Sequence, residues 1–74
     1  MKSEKIYNVM IQAIDKNGKK ISLPLGACIW HGVKLSEVAF LLFGLSVGLA
    51  AKYNRFQRVE ALDLNTGALL MAKN

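Results

Sequence analysis

One apolar stretch, from Leu35 to Tyr53, constrains this chain most, because no other segment is long and apolar enough to anchor a core. Its apolar residues recur at the spacing of an α-helix, so the sequence predicts a helix here. Ser36 suits the N-cap position, and Glu37 lies in the first turn, where the helix dipole favours a negative charge. Leu35 can pack on Phe40 as a hydrophobic staple. We therefore expect the fold to be built around this helix.

The predicted helix carries two apolar stripes, whereas a surface helix normally has one stripe and a charged back. The first stripe comprises Val38, Leu42, Leu45, Leu49 and Tyr53. We expect this stripe to face the core, with the reverse assignment of the two stripes as the alternative. The second stripe, about a third of a turn or more away, comprises Phe40, Phe43, Val47 and Ala50. A chain of 74 residues has only one sheet face to offer such a helix. The second stripe therefore needs another cover.

Self-association is the cover that we expect. Gly44 and Gly48 lie one turn apart, a spacing that lets two helices approach closely. Membrane helices use the same pattern, but the apolar run from Val38 to Ala51 has 14 residues, a length more typical of a buried core helix. We therefore do not expect a membrane span and keep a membrane-associated helix as an alternative. The residues expected where two copies meet are Phe40, Phe43, Gly44, Val47 and Gly48.

A β-hairpin is predicted before the helix. Its first strand runs from Ile6 to Ile14, with a core face made of Tyr7, Val9, Ile11 and Ala13. After a turn at Asp15-Lys16-Asn17-Gly18, the return strand runs from Lys19 to about Ile29. One face of the return strand comprises Ile21, Leu23, Leu25, Ala27 and Ile29. Pro24 cannot donate a hydrogen bond, so it places this strand at a sheet edge or breaks it. Trp30-His31-Gly32 is predicted to connect the hairpin to the helix.

A second hairpin is predicted after the helix, with strands from Arg55 to Leu64 and from Ala68 to Ala72 around an Asn65-Thr66-Gly67 turn. Both hairpins place Asp, Asn and Gly at the turn, which indicates shared turn chemistry. The predicted order is β-β-α-β-β. This order favours an α+β fold, an antiparallel four-stranded sheet with one apolar helix packed across a face, as a single domain over residues 1–74.

No set of residues predicts catalysis, a metal or a cofactor. Cys28 and His31 have half the ligands of a zinc site, and the chain has one cysteine and one histidine, so such a site would have to be shared between two copies. Among the carboxylates, only Glu60 has no predicted role in a turn, a helix start or a chain end. Acid and base pairs and a phosphate-binding glycine loop are not apparent. We therefore expect neither an enzyme nor a bound cofactor.

The formal net charge is +5 and the isoelectric point is about 9.7, so a polyanion must be considered as a partner. Two basic clusters are separate in the sequence. The first is at the tip of the first hairpin and comprises Lys16, Lys19 and Lys20. The second follows the helix and comprises Lys52, Arg55 and Arg58. Tyr53 and Phe56 could stack on bases beside the second cluster. Binding of single-stranded nucleic acid is therefore an alternative function.

The function that we expect is that of a small non-enzymatic protein-binding module that forms a homodimer. Trp30 is the best anchor for a protein partner, because aromatic residues dominate interface hot spots, and the equal alternative is that it caps the core between sheet and helix. The other residues expected at this surface are His31, Lys19, Lys20, Lys52, Arg55 and Arg58. By analogy of size and type alone, the chain is comparable to small inhibitor and adaptor proteins, including those that phages direct against host defence. With a single cysteine and no visible secretory signal, we expect it in the cytoplasm.

Overall fold

The computed structural model describes residues 5–24, 26 and 28–74 of the chain. One α-helix packs on an antiparallel sheet, so the predicted α+β class is confirmed. In chain order the elements are β1 (Ile6–Asp15), β2 (Lys20–Ile21), β3 (Ile29–Lys34), α1 (Leu35–Lys52), β4 (Phe56–Asp63) and β5 (Leu69–Lys73).

The central strand of the sheet is β1, which has partners along both sides. On one side β4 pairs with it along Val9–Asp15, and β5 pairs with the outer side of β4. On the other side two shorter strands share its length. β2 pairs near the C-terminal end of β1, and β3 pairs near its N-terminal end. The sheet therefore has five strands in four rows, because β2 and β3 form one interrupted outer row.

This interruption is one of the two outcomes predicted for Pro24, which was expected to place the return strand at a sheet edge or to break it. Among the described residues, β2 pairs with β1 as far as Ile21 and β3 begins at Ile29. Pro24 lies between the two strands, where the lack of an N–H breaks no ladder hydrogen bond. The gap also changes the alternation of faces, since Ile21 is buried whereas Ile29 is 47% exposed. Leu25 and Ala27, predicted to line the face of Ile21, lie outside the described residues.

The prediction that Trp30-His31-Gly32 forms a connecting loop was wrong, because these residues belong to β3. Gly32 has a positive φ of 67°. Its N–H donates a 3.0 Å hydrogen bond to the side-chain oxygen of Asn8, at a point where the pairing register shifts between Tyr7 and Val9. The glycine therefore allows a β-bulge inside a strand rather than a turn between elements.

The helix packs its predicted inner stripe on the sheet. Val38 and Leu42 are 0% exposed and Leu49 is 9% exposed, while Leu45 and Tyr53 are partly buried. The strand residues of the same core cluster include Val9, Ile11, Ala13, Val59 and Ala61. Sequence reasoning missed Ser46, which is also buried. Its hydroxyl donates to the carbonyl oxygen of Phe43 at 2.8 Å, so its burial leaves no unpaired donor.

The helix begins two residues earlier than the predicted Ser36 cap would allow. Lys34 is the N-cap residue, and its N–H donates to the side chain of Glu37 at 2.9 Å, which is the carboxylate half of a capping box. With this start, the staple positions fall on Val33 and Val38. The predicted staple between Leu35 and Phe40 was wrong, because Phe40 is 80% exposed.

Shared turn chemistry explains the likeness of the two hairpins. The side chain of Asp15 accepts the backbone N–H groups of Asn17 and Lys19 at 2.8 and 2.9 Å. The side chain of Asp63 accepts those of Asn65 and Thr66 at 2.8 and 3.3 Å. Both aspartates therefore fold the chain back by bonding backbone donors that the turn leaves open.

Candidate interaction surfaces

The solvent side of α1 is apolar from its first turn to its last. Phe40 is 80% exposed, Phe43 58% and Val47 57%. Between Glu37 and Lys52 the helix has no charged residue. We call this surface the outer helix face, and it comprises Glu37, Phe40, Phe43, Gly44, Val47, Gly48 and Ala51, all of them exposed. The predicted second stripe therefore points away from the sheet, and the described part of the chain does not cover it.

In the part of the chain that the structure describes, nothing packs against the two helical glycines. A Cβ atom added to Gly44 or to Gly48 would meet no described atom within 4 Å. Each glycine lowers helix stability by about 1 kcal/mol relative to alanine. The sheet therefore gives no reason for small residues at these two positions, and they leave a shallow, side-chain-free strip along the outer helix face.

Trp30 lies at the edge of the core rather than free on a loop. It is half-buried on β3 and packs against the core cluster. Beside it, a groove of about 360 Å³ is bordered by Val33, Glu37, Val38, Phe40 and Leu41. His31, its neighbour in the strand, is exposed. Trp30 thus contributes to the stability of the fold and also borders a groove that is continuous with the outer helix face.

The two basic clusters of the sequence meet at one end of the molecule. The N–H of Lys16 in the first turn donates to the carbonyl oxygen of Arg55 at 2.8 Å, which joins the first hairpin to the segment after the helix. In the sheet, Lys20 and Arg58 lie on either side of Ile14. We call this surface the basic end, and it comprises Lys16, Lys19, Lys20, Lys52, Arg55 and Arg58. It holds six of the ten lysines and arginines of the chain.

Asp15 is the carboxylate that organises the basic end. The Arg55 guanidinium lies 4.0 Å from its second oxygen. The hydrogen bond from the N–H of Lys19 lowers the pKa of Asp15 against the opposing effect of burial, and the N–H of Asn17 and the charge of Arg55 lower the pKa further. Asp15 therefore remains ionised, and its carboxylate accepts hydrogen bonds from backbone N–H groups of the turn. Two of the cations lie over the ring of Tyr53. The ring centre is 5.4 Å from Lys52 Nζ and 5.3 Å from the Arg55 guanidinium carbon.

Glu60, which had no predicted role, ties β1 to β4 on the sheet face opposite α1. Gln12 donates to one carboxylate oxygen at 2.6 Å, and Arg58 donates to the other at 2.8 Å. The Arg58 and Gln12 hydrogen bonds lower the pKa of Glu60. Sequence reasoning missed this contact, although Gln12 and Glu60 hold the same position in the sequences of the two similar hairpins. In the sheet, the two residues pair directly opposite each other.

The structure separates the residues predicted to form one partner-binding surface. Trp30 pairs with Val9, whereas Lys20 pairs with Ile14, five residues along β1. At the rise of a β-strand this is about 17 Å. Trp30 and His31 therefore lie near the start of the helix, and Lys19, Lys20, Lys52 and Arg55 lie at the basic end.

Cys28 is half-buried, and its thiol lies 3.4 Å from the carbonyl oxygen of Pro24. Among the described residues, no group of three or more His, Cys, Asp or Glu side chains is placed to hold a metal ion. By length and composition alone, Leu35–Lys52 could cross a membrane. Comparison with protein-family models, with curated proteins and with solved structures finds no match for the chain.

Proposed function

We propose that this chain is a small non-enzymatic protein-binding module that associates with itself through the outer helix face. The observation that carries the proposal is the exposure of Phe40, Phe43 and Val47 on one side of a helix whose other side forms the core. At about 200 Å² for each phenylalanine, the two rings alone leave about 280 Å² in water. Together with Val47 this approaches the largest apolar patches found on monomeric proteins, which commonly mark interaction sites.

Support for a non-enzymatic role comes from the carboxylates. Asp15 and Asp63 hold the two turns, Glu37 holds the helix start, and Glu60 ties two strands together. Each of these four groups therefore has a structural task that fixes its position. An inhibitor or adaptor needs a surface that a partner can bind, without catalytic groups. The outer helix face and the basic end are two such surfaces.

The mass of the protein in solution tests the proposal. We expect the weight-average mass, measured by sedimentation or light scattering over a wide range of concentrations, to rise from that of the 8.2 kDa chain towards twice that value. A mass that stays at the monomer value at every concentration would contradict self-association. Incubation with neutral phospholipid vesicles distinguishes lipid as the cover, since a monomer that floats with the vesicles would indicate a membrane-associated helix.

Binding of single-stranded nucleic acid is the second candidate, and the convergence of the two basic clusters favours it. Of the six cations, Lys52 and Arg55 lie over the ring of Tyr53, so phosphate contacts would be made beside an aromatic side chain. Phe56 belongs to the buried core, so the prediction that its ring could stack on bases was wrong. Among the described carboxylates, Asp15 and Glu60 offset the charge of the cations locally, and both are engaged in hydrogen bonds. Most of the net charge of +5 therefore lies at the basic end.

The dependence of affinity on salt tests this candidate. If four cations contact phosphates, the affinity for a single-stranded oligonucleotide should fall about 50-fold when salt rises from about 50 to about 200 mM. Replacing Lys19 and Lys20 with glutamine should weaken binding and reduce the salt slope. Lys34→Gln with Lys73→Gln, which removes the same charge outside the basic end, is the matched control. Absence of binding at low salt would exclude this function.

A further inference from the structure

The outer helix face has a pattern of small and large residues that favours one particular occupant. We propose that a second copy of this chain covers it, with the two helices antiparallel about a two-fold axis that passes between Leu45 and Ser46. This proposal rests on the self-association proposed above and adds the direction and register of the contact.

The spacing along the outer helix face is the first support. Phe40, Gly44, Val47 and Ala51 follow one another at intervals of four, three and four residues. This alternation keeps a seam on one side of a helix, and it is the spacing by which two helices pack side chains into each other's gaps. All four residues are exposed, so the seam is open along its length of about 17 Å, at 1.5 Å per residue.

The sizes of the seam residues distinguish the two possible directions. In a parallel pair each residue would face its own copy, so Phe40 would meet a phenylalanine and Gly44 would meet a glycine, which leaves a clash and a void. In the antiparallel pair Phe40 faces Ala51 of the partner subunit, and Val47 faces Gly44 of the partner subunit. Each large side chain then fills the space above a small one, and close packing without voids is what a stable interface needs.

The charges at the two ends of the helix favour the same direction. Glu37 lies in the first turn and Lys52 in the last, and both are exposed. Antiparallel packing places Glu37 within about 3 Å along the axis of Lys52 of the partner subunit. A parallel pair would bring like charges together at both ends. Oppositely directed helix dipoles add to the preference.

The area of the seam sets the strength of the contact. A standard protein interface buries about 800 Å² on each partner. One helix face of this length, even with both phenylalanine rings included, provides less than that. We therefore expect a weak, reversible dimer, with axes brought close together by Gly44 and Gly48, where no side chain holds the helices apart.

Disulfide trapping tests the direction. In a Cys28→Ser background, one protein carries Phe40→Cys and a second carries Ala51→Cys. Both positions are exposed, so neither change touches the core. In the antiparallel pair the two engineered cysteines face each other, whereas copies of the same site lie about 16 Å apart along the axis, beyond the reach of about 7 Å for a disulfide. Each protein is oxidised alone and as an equimolar mixture, and the products are identified by mass.

We expect the disulfide between Phe40→Cys and Ala51→Cys to dominate in the mixture and same-site disulfides to be absent from the separate samples. Same-site disulfides would show a parallel pair and would overturn this inference while leaving self-association intact. A dimeric wild type whose variants form no disulfide would show that another surface mediates contact, which also overturns it. A monomeric wild type would overturn the proposed self-association itself.

Discussion

Leu42→Ala should destabilise the fold by about 3 to 5 kcal/mol, because it removes a fully buried side chain at the centre of the contact between helix and sheet. A domain of this size has a total free energy of unfolding of about 4 to 11 kcal/mol. The melting temperature should therefore fall by at least about 10 °C. Thermal unfolding followed by circular dichroism measures both effects.

Leu69→Ala is the matched control, since it makes the same chemical change at a position that is 57% exposed. We expect it to lower the free energy of unfolding by about 1 kcal/mol or less. Equal losses in the two variants would mean that Leu42 does not lie in the core, and the assignment of inner and outer helix faces would then be wrong.

Phe40→Asp should weaken self-association about 100-fold or more, because each copy loses the exposed ring that packs on Ala51 of the partner subunit and gains a group that favours water. The same change should cost the folded monomer little, since Phe40 is 80% exposed. Sedimentation at concentrations where the wild type is dimeric should therefore give the monomer mass, with an unchanged circular dichroism spectrum.

Leu69→Asp provides the comparison for this variant, because it introduces the same charge at an exposed apolar residue of β5 instead of α1. It should leave the dimer intact. If Leu69→Asp separated the copies and Phe40→Asp did not, the contact would lie on the sheet and not on the helix.

Periodicity within one element was enough to predict the helix and its two faces. The spacing of Val38, Leu42 and Leu49 against that of Phe40 and Val47 is a local property of the sequence, and the structure separates the two sets by burial as predicted. The hairpin turns were predictable for the same reason, because an aspartate that bonds nearby backbone N–H groups acts over a few residues.

Features that depend on distant partners could not be predicted in this way. Gly32 was predicted to lie in a connecting loop, yet it lies in a bulge of β3 that the side chain of Asn8 completes. The basic end likewise depends on the hydrogen bond between Lys16 and Arg55, which are 39 positions apart in the sequence. Local propensity contains no information about such pairs.

The interrupted outer row of the sheet has a consequence for how copies of this chain behave when crowded. An uninterrupted edge strand is a template on which further chains can add and grow into fibrils. Here one edge of the sheet is interrupted between β2 and β3, and Pro24 lies in the interruption. The other edge is β5, a strand of five residues that ends in a lysine. High concentration should therefore yield discrete assemblies held by side chains, and the solution should stay clear rather than gel.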